Sequence, residues 1–107
     1  MREYNPDTWA VVEITSRNKT VCRVFAGWYG GYTAGDSWQL NSGIAEALRH
    51  GDTLEFVGNS GSRYFCNIHT CKLSLYQQSV LESWKQDGYT IKVLSIDEVL
   101  DKWYNNL

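Results

Sequence analysis

The chain has no long apolar run and no excess of basic residues, and in 107 positions it uses proline once, methionine once, histidine twice and cysteine three times. A bilayer-spanning helix needs about 20 consecutive apolar residues, which the sequence does not offer. Its first residues also lack the basic-then-apolar pattern of a secretion signal. Ten Lys and Arg against twelve Asp and Glu leave a net charge of −2. Non-specific binding to duplex DNA draws on a field of uncompensated cations, so that class of function is not expected. A small anion held by one or two arginines remains compatible with this balance. With three cysteines at least one cannot pair internally, which points to a reducing cytosol. The length suits one domain, 1–107, with a core that needs no metal or disulfide.

Aromatic residues are abundant: five Trp, seven Tyr and three Phe. That is more than packing a chain of this size requires, so some are expected at exposed or interfacial positions. They concentrate between Phe25 and His69, beside glycines and small polar residues. One stretch is Phe25-Ala26-Gly27-Trp28-Tyr29-Gly30-Gly31-Tyr32. Two islands follow it, Asp36-Ser37-Trp38-Gln39-Leu40-Asn41-Ser42-Gly43 and Gly58-Asn59-Ser60-Gly61-Ser62-Arg63-Tyr64-Phe65-Cys66. Glycine admits close approach of a ligand to the backbone, and Asn and Ser supply donors and acceptors.

Period-two alternation predicts strands over 8–16 and 20–26, joined at Arg17-Asn18-Lys19 as an antiparallel hairpin. Ala10, Val12 and Ile14 share one face and Trp9 and Val11 the other; Cys22, Val24 and Ala26 oppose Val21, Arg23 and Phe25. Further strands are expected over 37–40, 44–48, 53–57 and 62–68, with a bulge or corner at Asn41-Ser42-Gly43 and turns at Tyr4-Asn5-Pro6-Asp7, Arg49-His50-Gly51-Asp52 and 58–61. The period then changes. Ser74 with Gln77 and Ser95 with Glu98 each match a capping box. Leu73, Tyr76, Val80, Leu81 and Trp84 form a helical stripe ended by Gly88, and Ile96, Val99, Leu100 and Trp103 form a second. The expected architecture is α+β: one antiparallel sheet of about six strands over 8–70 with 89–94, and two C-terminal helices near 74–87 and 96–105.

For chemistry, a nucleotide-type ligand is the sharpest use of these islands, one among several that the composition allows. Trp28, Tyr32, Trp38 and Tyr64 offer stacking faces, worth about 1–3 kcal/mol per base. Arg23 and Arg63 suit phosphate oxygens, and Asn41, Ser42, Asn59, Ser60 and Ser62 suit base or ribose edges. Cys66-x2-His69-x-Cys71 has metal-like spacing, but free Cys is more often a small core residue, and neither a metal nor another cofactor is expected. His69 with Asp36, or with Cys66 as well, is the alternative reading as a small hydrolase; an inhibitor that contacts another protein is a third.

The ordered set Arg23-Val24-Phe25-Ala26-Gly27-Trp28-Tyr29-Gly30-Gly31-Tyr32, Asp36-Ser37-Trp38-Gln39-Leu40-Asn41-Ser42-Gly43-Ile44 and Ser60-Gly61-Ser62-Arg63-Tyr64-Phe65-Cys66 resembles a family of small phage-encoded proteins, the first-described anti-Thoeris sponges. The resemblance covers roughly residues 8–85 and implies a sheet followed by two helices, in a protein that sequesters cyclic ADP-ribose isomers or cyclic oligonucleotides in the host cytosol without cleaving them. It also implies a homodimer or higher homo-oligomer with recesses near subunit contacts. Phe25, Trp28, Asp36, Trp38, Asn41, Ser42, Ser60, Ser62, Tyr64 and Cys66 stand where that family has shared residues. The chain departs from the pattern at Asn67 and at Cys71-Lys72-Leu73.

Overall fold

A nine-residue and a ten-residue strand, β2 (Thr8–Ser16) and β3 (Lys19–Trp28), form the hairpin on which the computed structural model is built. The structure describes residues 2–31 and 35–105. Arg17 and Asn18 make the turn, both with positive φ (52° and 65°). That geometry matches the twist of the strands it joins, and Asn tolerates it well. The alternation read from the sequence holds on both strands. Trp9, Val11, Val24 and Ala26 enter one apolar cluster, and Val12 and Phe25 enter another on the opposite face.

The remaining strands are β1 (Glu3–Tyr4), β4 (Ser37–Leu40), β5 (Ile44–His50), β6 (Thr53–Gly58), β7 (Arg63–Asn67) and β8 (Thr90–Val93). The fold is α+β and mostly antiparallel, but the single sheet of about six strands is corrected to two four-stranded sheets, ordered β4-β3-β2-β8 and β1-β7-β6-β5. The physical reason is that β2 and β3 are apolar on both faces, so one face takes a second sheet and the other a helix. The chain passes between sheets at Asn41-Ser42-Gly43, where Gly43 has φ +122°. Within the turn expected at the N-terminus, Tyr4 instead belongs to β1, paired parallel to β7 through Glu3–Arg63 and Tyr4–Tyr64. A two-residue strand leaves no periodicity to read.

Helices α1 (Leu75–Gln86) and α2 (Ile96–Trp103) both carry complete capping boxes, at Ser74/Gln77 and Ser95/Glu98. Between the sheets, Trp9 meets Phe56, and Leu54, Tyr64 and Cys66 complete the core. Val99 and Trp103 of α2 pack on this core, with Trp103 edge-on to Phe56. Helix α1 covers the outer face of the β2–β3 sheet through Leu81, Val80 and Trp84. Its buried stripe differs from the expected one. Tyr76 is 39% exposed, whereas Gln77 is fully buried. Gln77 accepts from the Thr8 hydroxyl at 2.6 Å and donates to the Phe25 carbonyl at 3.3 Å. The helix comes this close because residue 27 is glycine: a Cβ there would lie 2.4 Å from Gln77 Cδ.

Candidate functional site

Where α1 ends, its cover over the sheet is incomplete. A cleft of about 360 Å³ opens there, lined by Ile14, Arg23, Trp38, Leu40, Trp84, Tyr89 and Ile91. Strand alternation supplies the floor. Leu40 pairs with Phe25 and Trp38 with Gly27, so both point to the helix-covered face with Arg23. The helix supplies the wall, since Trp84 lies in its last turn. Gly88, at φ +102°, lets the chain reverse so that Tyr89 N–H donates to the Trp84 carbonyl at 3.2 Å. That reversal brings Tyr89 to the same cleft as Trp84.

Three rings pack together at the cleft's inner edge. Trp38 crosses Trp84 at 78° with centroids 5.2 Å apart, and crosses Phe25 at 82° and 5.8 Å. Phe25 is fully buried, while Trp38 keeps 37% of its surface exposed. The indole N–H groups of Trp9 and Trp28 donate to the carbonyls of Asn67 and Asn5, whereas those of Trp38 and Trp84 have no acceptor among the described residues. The Arg23 guanidinium is half-buried, and its Nη1 donates to the Asn41 carbonyl at 3.0 Å. No carboxylate pairs with it among the described residues. Arg23 thus sets a positive charge without a carboxylate partner among the described residues beside apolar side chains, where a lowered local dielectric strengthens its attraction to negative charge. Among the described lining residues Ile14, Leu40 and Ile91 are aliphatic, and the polar side-chain groups, on Arg23, Trp38, Trp84 and Tyr89, are all hydrogen-bond donors, of which the Tyr89 hydroxyl can also accept.

The two polar islands also meet, but largely to hold one another. Ser42 Oγ accepts from Ser60 N at 2.9 Å and lies 3.2 Å from Ser60 Oγ; Asn59 donates from its backbone N to the Gly43 carbonyl and from its side chain to that of Ser42. Asn41 is 2% exposed and acts as a strut. Its Oδ1 accepts from Val24 N and Gly43 N, its carbonyl holds Arg23, and its Nδ2 is buried without a partner among the described residues. Ser62 lies with Arg2, Ser60 and Gly61 along a separate open depression.

The other predicted residues are dispersed. Trp28 pairs in register with Ser37, one position from Trp38, so the two indoles project to opposite faces of the sheet. The Trp28 ring lies against Tyr4. Tyr64 is 1% exposed and stacked on Tyr4 at 4.7 Å, and burial pushes its phenol up to about 12. Asp36 accepts from Gly30 N at 3.2 Å, closing the neck of the loop before β4. Arg63 pairs with the Glu55 carboxylate, which also binds His50 at 2.7 Å. Tyr32 lies outside the described residues. Thus Arg23, Trp38 and the underlying Phe25 come together, joined by Ile14, Leu40, Trp84, Tyr89 and Ile91, which the sequence reading did not assign to a site. The surplus of aromatics was the available signal for Trp84 and Tyr89.

For the hydrolase alternative, His69 takes Asp52 as its carboxylate neighbour at 3.3 Å, and Asp36 is engaged at Gly30. The thiols of Cys66 and Cys71 are raised by burial, the latter to about 11, which disfavours the thiolate at neutral pH. Among the described residues no group of three or more His, Cys, Asp or Glu could hold a metal ion, and no helix is long and apolar enough to cross a membrane. No protein-family model, curated protein or solved structure matches the chain.

Proposed function

We propose that this protein captures a nucleotide-type anion in the Trp38–Trp84–Arg23 cleft and holds it without chemistry. The observation that carries the reading is the half-buried Arg23 guanidinium without a carboxylate partner, set beside crossed indoles. A cyclic ADP-ribose isomer or a cyclic oligonucleotide immune signal matches a lining that joins the Arg23 cation and aromatic rings to aliphatic side chains, and the resemblance to anti-Thoeris sponges supports that choice. On this reading the protein is a phage anti-defence factor of the host cytosol, acting as a homo-oligomer. The cleft needs no general acid or base to do this work, since sequestration is mass action alone.

Magnitudes limit what one cleft can do. A stacked base contributes about 1–3 kcal/mol and a hydrogen bond to a charged group about 1.5–3 kcal/mol. Nanomolar capture needs about −12 kcal/mol. The difference has to come from apolar burial against Leu40, Ile14 and Ile91 and from a site ordered beforehand. The Asn41 strut and the Trp38–Phe25–Trp84 contacts provide that order.

The test is retention and release. Protein in excess is mixed with cyclic ADP-ribose isomers and with cyclic di- and trinucleotides, free ligand is measured, and the mixture is heat-denatured. Depletion followed by recovery of the intact compound is expected. Recovery of an altered product contradicts binding without chemistry, and no uptake of any of them contradicts the reading altogether.

A further inference from the structure

The geometry of the cleft bears on how much of a ligand it reads. Trp38 and Trp84 touch and cross at 78°, so they cannot sandwich one ring between parallel faces. Phe25 closes the third side, 5.8 Å from Trp38 and 5.1 Å from Trp84. The packed triangle leaves the exposed part of Trp38 as a surface for stacking, with room for one flat ring. The volume of about 360 Å³ is near the low end for small-molecule sites. Charge gives the same count. Arg23 is the sole cation among the described lining residues, and one of its nitrogens is committed to the Asn41 carbonyl. Its remaining N–H groups can serve one anionic group. The other polar side-chain groups of the lining are two indole N–H donors and the Tyr89 hydroxyl, which suit the acceptor-rich edge of a base.

We infer that the cleft recognises a single nucleobase bearing a single phosphate, so that a linear nucleoside monophosphate competes for it and the rest of any cyclic ligand lies outside. This rests on the nucleotide-binding reading. Trp38 supplies the base contact and Arg23 the phosphate contact, and the two are separable.

Equilibrium dialysis with labelled cyclic ADP-ribose, cyclic di-AMP and, in a separate arm, 5′-AMP tests it, using unlabelled 5′-AMP, adenosine and ribose 5-phosphate as competitors. Displacement by 5′-AMP is expected, with adenosine and ribose 5-phosphate each at least about tenfold weaker, one lacking the phosphate and the other the base. Arg23→Ala should abolish the advantage of 5′-AMP over adenosine, and Trp38→Ala its advantage over ribose 5-phosphate. A cyclic probe that is retained but not displaced by a large excess of 5′-AMP overturns the inference and leaves the nucleotide reading standing. Binding of 5′-AMP without any cyclic probe upholds the inference and overturns the choice of cyclic signal. Binding of neither overturns both.

Discussion

Two arginines on β-strands of this protein meet opposite electrostatic fates. Arg63, on β7, reaches the Glu55 carboxylate on the neighbouring strand, and His50 takes the other oxygen of the same group. Arg23, on β3, sits under a helix end among indoles and aliphatic chains, and its hydrogen bond goes to a neutral carbonyl. The first guanidinium is neutralised within the fold. The second is available to an outside anion. A cation is informative about function when the fold leaves its charge unbalanced, and an arginine already neutralised by a carboxylate speaks mainly of structure.

Loosening helix α1 from the sheet has the largest expected effect. Gly27→Ala puts a methyl against the buried Gln77 side chain, forcing α1 outward and disrupting its bonds to Thr8 and Phe25. Overpacking with lost buried hydrogen bonds should cost about 3 kcal/mol, read by urea unfolding, and should abolish uptake along with it. On the other sheet, Glu55→Gln should cost about 1–2 kcal/mol at pH 7, with uptake unchanged. The His50 hydrogen bond, followed by Arg63 and opposed by burial, holds the Glu55 carboxyl below its ordinary 4.5. A depressed carboxylate stabilises the fold above its unfolded-state value, and that stabilisation is lost as pH falls through the folded-state value. Wild type should therefore lose stability more steeply than the Gln variant as pH falls below 4.5, in thermal melts taken as a pH series.

Exchanging the two arginines in turn gives a sharper contrast of smaller size. Arg23→Ala should weaken nucleotide uptake more than about tenfold, equivalent to 1.4 kcal/mol, with native circular dichroism. Arg63→Ala should lower the melting temperature and leave uptake within about twofold. Equal losses of uptake in the two variants would contradict different roles for Arg23 and Arg63. The smallest effect is expected from Tyr89→Phe, which removes the one hydroxyl on the cleft wall and should weaken uptake about two- to threefold by titration, without a change in melting temperature.

What the sequence makes legible is local. The β2–β3 hairpin, both capping boxes and the alternating faces follow from neighbours within a few residues, and the structure carries each of them. The division into two sheets was not legible, because strands apolar on both faces do not say what covers each face. The corner at Asn41-Ser42-Gly43 that makes the division reads equally well as a bulge. Trp28 and Trp38 look equivalent in composition, yet the pairing of Trp28 with Ser37 sends them to opposite faces, and that parity depends on a register set across strands. Arg23 and Arg63 are likewise indistinguishable until Glu55 is seen to lie beside only one of them. Trp84 reads as a core residue of a helical stripe, which it partly is; that it also walls a cleft depends on where α1 stops.

The five tryptophans make the central claim directly measurable. In a two-dimensional 15N–1H spectrum each indole N–H gives its own signal, and cyclic ADP-ribose or cyclic di-AMP can be titrated into the labelled protein. The account predicts that the Trp38 and Trp84 indole signals move together with the Arg23 side-chain resonance while those of Trp9, Trp28 and Trp103 stay in place. A response confined to Trp28, or a saturating titration that leaves Trp38 and Trp84 unmoved, would contradict it.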